Sequence, residues 1–86
     1  MASFKAFPNP FNNEVSFKVD VPEDTEGSLE LVNMLGQKVM TVYSGKITAG
    51  TRTFKVNLPS QQTTTLIYVL RLGQERITGK LIQMKR

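Results

Sequence analysis

At 86 residues the chain holds one hydrophobic core and buries only about 60–65% of its unfolded surface, so stability rests on close packing. It contains no Cys and no His, which removes disulfides, thiolate and imidazole metal sites, the thiol nucleophile and the commonest general base. The net charge of +4 is uneven: residues 1–36 carry two Lys against six acidic residues, net −4, and residues 37–86 carry nine Lys or Arg against Glu75 alone, net +8.

The opening segment, 1–13, is dominated by Phe7-Pro8-Asn9-Pro10-Phe11. Each proline fixes φ near −65° and pushes the preceding residue toward extended geometry, a rigid lead-in expected to present Phe7 and Phe11 to the core. Val15, Phe17, Val19 and Val21 then alternate with Ser16, Lys18 and Asp20, predicting a strand with one buried face, stopped by Pro22. Leu29 and Leu31 alternate with Ser28 and Glu30 up to Asn33-Met34-Leu35-Gly36, where Gly36 takes a positive φ without steric cost and reverses the chain. The return strand, Lys38 to Tyr43, resists assignment: both Val39-Thr41-Tyr43 and Met40-Val42 suit an inward face. Ser44-Gly45 and Ala49-Gly50 bracket the next connection.

From Thr51 to Leu58 alternation resumes, with Arg52, Phe54, Val56 and Leu58 on one side and Thr53, Lys55 and Asn57 on the other, before Pro59. Leu66 to Leu70 is apolar on both faces, as a central strand should be. Gly73-Gln74 predicts a type II′ hairpin into a last strand from Arg76 to Met84. Helical periodicity is never sustained. Six or seven short strands at regular spacing predict an all-β, immunoglobulin-like antiparallel sandwich.

Catalytic chemistry finds no foothold. The hydroxyls of Ser60, Thr63, Thr64 and Thr65 have no base beside them and read as a polar loop satisfying its own backbone. Asp20, Glu23, Asp24 and Glu26 lack the Asp-x-Asp-x-Asp-Gly spacing of a calcium loop and read as a solvated acidic turn. The basic residues are spread one or two per strand with few interleaved aromatics, so no nucleic-acid partner is expected. No apolar run approaches the about 20 residues needed to span a bilayer, and Met1-Ala2-Ser3 leads into no signal-peptide segment. The expected chain is therefore not an enzyme, and no catalytic residue, cofactor or metal is assigned.

Three short motifs remain: Phe7-Pro8-Asn9-Pro10-Phe11, Leu35-Gly36-Gln37-Lys38-Val39, and Gly79-Lys80-Leu81-Ile82 followed by a basic end. Each has an architectural reading, as a rigid lead-in, a turn, and a bulge or close backbone approach at Gly79 beside core-closing Leu81 and Ile82. In this order and spacing, over nearly the whole chain, they resemble the type A C-terminal sorting domain of cargo carried by the type IX secretion system. That resemblance implies a non-enzymatic address label that directs cargo from the periplasm across the outer membrane to the cell surface or the extracellular space. The implied partners are the translocon and its shuttle components, an upstream cargo domain in a longer precursor, and a sortase-like surface peptidase that typically removes the domain. The export signal would then lie upstream of Met1. Recognition in the family centres on the last strand and its basic end, which here gives Gly79, Lys80, Leu81, Ile82 and Lys85, with Gly36, Gln37 and Val39 as a second patch.

The chain departs from the family in one place. A short Ser-Gly-x-aromatic lead into the penultimate strand is replaced by Ser60-Gln61-Gln62-Thr63-Thr64-Thr65-Leu66, with Thr64 where the glycine would align. The main rival is a cell-surface adhesion or carbohydrate-binding module, followed by an inert spacer. Such modules stack exposed aromatics on sugar rings, whereas Trp is absent here and most of the five Phe and two Tyr sit at inward-alternating or turn-anchoring positions.

Overall fold

The computed structural model describes residues 3–59 and 63–85, and these form seven strands. They are β1 (Ser3–Phe7), β2 (Glu14–Val21), β3 (Thr25–Val32), β4 (Lys38–Ile47), β5 (Gly50–Asn57), β6 (Thr64–Leu72) and β7 (Glu75–Gln83). One sheet has the order β1-β2-β5 and the other β4-β3-β6-β7, with every strand pair antiparallel. The chain is therefore an all-β two-sheet sandwich consistent with the immunoglobulin-like expectation. Among the described residues there is no helix, hence none long and apolar enough to cross a membrane.

The alternation read in β2 is exact in its outcome: Val15, Phe17, Val19 and Val21 are buried, and they meet Leu29 and Leu31 of β3 and Leu66, Leu70 and Leu72 of β6 from the opposing sheet. Phe4, Phe17 and Tyr68 form an aromatic group between the sheets, with centroid separations of 5.7, 4.7 and 6.2 Å. A second pair, Tyr43 and Phe54 at 5.2 Å, lies beside it on the β4–β5 side, where Phe54 is only half-buried.

The ambiguity in β4 has a physical cause. Its register against β3 slips between Leu29 and Glu30 and again between Leu31 and Val32, the signature of two irregularities that each add a residue to β4. Met40, Val42 and Tyr43 consequently all pack against the core while Val39 stays 43% exposed. No single alternation could describe this strand.

Residues 3–7, read in the sequence as part of the lead-in, form the edge strand β1. Asp20 pins it: the Ser3 hydroxyl donates to Oδ2 and the Thr51 hydroxyl to Oδ1, each at 2.7 Å, so one carboxylate ties β1, β2 and β5 together. These two bonds, the Thr51 one foremost, hold the Asp20 carboxyl below its ordinary value. Their contribution to stability is thus present above the ordinary carboxylate range and fades as pH falls through the lowered value. Asp24 accepts from the Ala49 amide at 2.8 Å, and among the described residues no acidic group gathers as a metal site.

Gly73, with φ of +60°, is followed by Gln74 without a positive φ, which is the type II′ geometry. Gly79 is different. Its backbone is ordinary, but an added Cβ would lie 2.2 Å from the Tyr68 Oη and 2.3 Å from Cζ, because the Tyr68 ring covers it from the paired strand. Gly79→Ala is expected to push that ring out of the Phe4–Phe17 group and cost about 1–3 kcal/mol. In a Tyr68→Leu background the same change should cost much less. A double-mutant cycle by urea denaturation measures the difference, and additive effects would show that the ring is not the obstacle.

Candidate docking surface

The middle motif is a turn organised by Asn33. Its Oδ1 accepts from the amides of Leu35 and Gln37, both at 2.9 Å, and its Nδ2 donates to Gln37 Oε1 at 2.9 Å. Backbone bonds from Asn33 to Gln37 O and from Gly36 to Asn33 O complete it. Gly36 has φ of +84° in open space, so its requirement is conformational. The turn holds Met34 and Leu35 out in water, 59% and 84% exposed.

The first and last motifs are one unit. The Phe11 amide donates to Ile82 O at 2.9 Å and the Met84 amide to Phe11 O at 2.7 Å. Asn9 bonds Lys80 O and the Ile82 amide at 3.1 and 3.0 Å, and Asn12 Nδ2 reaches Met84 O at 3.4 Å. Segment 9–12 thereby latches onto the outer edge of β7, consuming backbone groups that an adding strand would need. Gln83, the buried polar residue of the core, is satisfied by Asn12 O and Leu58 O. Phe11 is buried as expected, but Phe7 is 41% exposed: it ends β1 on the side of Ser3 and Lys5, away from the core.

On β7 the predicted residues divide by parity. Gly79 and Leu81 point between the sheets, and Leu81 is 0% exposed, so its side chain supports the surface from within. Lys80 and Ile82 point outward, and Lys85 is exposed just beyond, its amide donating to the Thr63 hydroxyl at 3.3 Å. Register across the four-stranded sheet then joins the middle and last motifs. Lys38 pairs with Val32, Val32 with Ile67, and Ile67 with Lys80, placing both lysines on one row of one face, three strand spacings or about 14 Å apart. Val69 and Ile82 continue the apolar floor of that face, and Glu30 is ion-paired to Lys38 at 3.2 Å. Gly36, Gln37 and Val39 border the Lys38 end. Sequence reasoning missed Asn9, Asn12, Asn33 and Gln83; only Asn33, which opens a Gly turn, carried a local signal.

The family model of the secretion system C-terminal sorting domain matches residues 5–84. The chain belongs to this family. No curated protein matches the chain in sequence. The sorting domain is a C-terminal secretion signal of type IX secretion: it interacts with that system as part of a cargo precursor and directs export across the outer membrane to the cell surface or extracellular space. Families of sorting signals are generally non-enzymatic. An adhesion or carbohydrate-binding role finds no support in this match. The departure from the family lead-in falls partly on residues 60–62, outside the described residues, while Thr64 and Thr65 already belong to β6.

Proposed function

We propose that residues 1–86 act as one sorting domain, a folded docking label read by the type IX translocon and its shuttle components during periplasmic transit, and removed from the upstream cargo by a sortase-like surface peptidase. The docking residues are Gly36, Gln37 and Val39 at one end and Lys80, Ile82 and Lys85 at the other, with Gly79 and Leu81 holding the last strand in place from the inner side. The label carries no catalysis and requires no cofactor. The observation behind this reading is the row Lys38–Val32–Ile67–Lys80, which puts two motifs separated by 39 residues of sequence on one face.

A fusion of the domain to a periplasm-directed reporter should reach the surface of a bacterium possessing the type IX system, and equal delivery without the outer-membrane translocon would refute the reading. Changing Lys80 and Lys85 to Gln removes two exposed charges, so the unfolding midpoint should stay within a few degrees while export falls at least about tenfold. Deleting Met84 and Lys85 is a poorer test, because both make hydrogen bonds that the fold uses.

A further inference from the structure

Arg71 of β6 and Arg76 of β7 stand directly opposite each other beside the Gly73-Gln74 hairpin, on the outer face of the four-stranded sheet. Like charges opposed in this way destabilise a sheet. Their row continues through Ser28 and Ser44, which carry no charge, and the acids flanking Ser28 on this face are matched elsewhere, Glu26 standing opposite Lys46 and Glu30 ion-paired to Lys38. Among the described residues the sole ion pair is Lys38–Glu30, and neither guanidinium donates a hydrogen bond. Immediately below this row lies Val69, then Ile67 beside Val32, then Ile82, so that a strong cationic end adjoins a floor of β-branched side chains.

The sheet with β1, β2 and β5 provides a comparison. Lys5 and Lys18 also oppose each other there, but Asp20 lies nearby to attract Lys18, and the row neighbour is Thr53. The apolar neighbour of that pair is the single ring of Phe7 at the end of β1, not a row across several strands. A repulsive arginine pair kept next to a row of half-buried β-branched side chains that ends in the 41% exposed Ile82 is a local conflict that folding does not require and binding uses.

We propose that Arg71 and Arg76 form the anion-binding end of the docking surface and take the carboxylates of an acidic protein segment, whose apolar side chains lie over Ile67, Val32 and Ile82. This rests on the docking reading above and specifies the partner's chemistry. Guanidinium forks match carboxylates bidentately, and a strip about 14 Å wide and 20 Å long takes a short extended segment in a weak contact rather than a folded partner domain. A bilayer is the poorer match. The outward positions of this sheet carry no aromatic side chain, the type that seats at a membrane interface.

The purified chain and its reporter fusion test the inference with poly-L-glutamate and phosphatidylglycerol vesicles as probes. Arg71→Gln with Arg76→Gln should leave the unfolding midpoint unchanged or higher, since repulsion is relieved. The same pair of changes should weaken poly-L-glutamate binding and lower export, each at least about tenfold. Arg71→Lys with Arg76→Lys should recover part of both losses. Lys5→Gln with Lys18→Gln, an equal change in net charge, should alter neither. The inference is overturned if the Gln pair is exported normally, if the Lys5/Lys18 control loses binding equally, or if phosphatidylglycerol vesicles displace poly-L-glutamate and are themselves released by the Arg changes. Translocon-independent delivery of the unmodified fusion would instead overturn the docking reading itself, so the two failures are distinguishable.

Discussion

Phe17→Ala is expected to destabilise the domain by about 3–5 kcal/mol, a large share of the about 5–15 kcal/mol that holds a small domain together. The ring is 0% exposed, pairs in register with Ala6 and Phe54, stacks on Phe4 and meets Tyr68 edge-on, so its removal opens a cavity between two sheets that cannot close independently. Phe54→Ala should cost less, about 1–2 kcal/mol, because its ring is partly in water and its main partner is the half-buried Tyr43. Urea denaturation of the two variants separates them. A loss below about 1 kcal/mol at Phe17 would contradict the inward face of β2.

Phe11→Ala should cost a similar amount, about 3–5 kcal/mol, but should act at a different place. Phe11 is 1% exposed and joins the core from outside any strand, while its backbone forms the parallel bridge to Gln83. Loss of the ring removes the anchor that holds segment 9–12 against β7. Amide hydrogen exchange should therefore speed up first at Ile82 and Met84, whose N–H groups are held by Asn9 and Phe11, and least at Leu29 and Leu70 of the central strands. Uniform acceleration across all four amides would mean that the latch has no stability of its own. Asn9→Ala supplies the milder case, removing two bonds to β7 without a core cavity.

The parts of this fold that the sequence discloses are those in which one residue's neighbours decide its fate. In β2 strict alternation is enough, because both flanking strands are regular; in β6 an apolar run announces a central strand and Tyr68, Leu70 and Leu72 find the core. The return strand β4 could not be read, since two added residues break the period on which the reading depends. The lead-in was half legible: Phe11 reaches the core, whereas Phe7 belongs to an edge strand whose five residues are too few to show a period. Asn9, Asn12 and Gln83 were silent for another reason. Their partners lie 71 to 73 residues away for the latch bonds, and no local pattern encodes a bond across that distance. At the docking surface the motifs supplied the residues, but only the cross-strand register showed that Lys80 and Ile82 face outward while Leu81, between them, cannot.

The bonds between segment 9–12 and β7 also set an order of events in time. Contacts this remote along the chain carry the largest loop-closure entropy and are expected to form after the hairpins β3–β4 and β6–β7 have brought their strands together. A polypeptide cut short before Ile82 can never make them, and one still emerging from the ribosome has to wait for its own final strand. Closure of the latch therefore makes the face conditional on both ends of the domain: it is offered fully assembled only when segment 9–12 and β7 have both been made and have found each other.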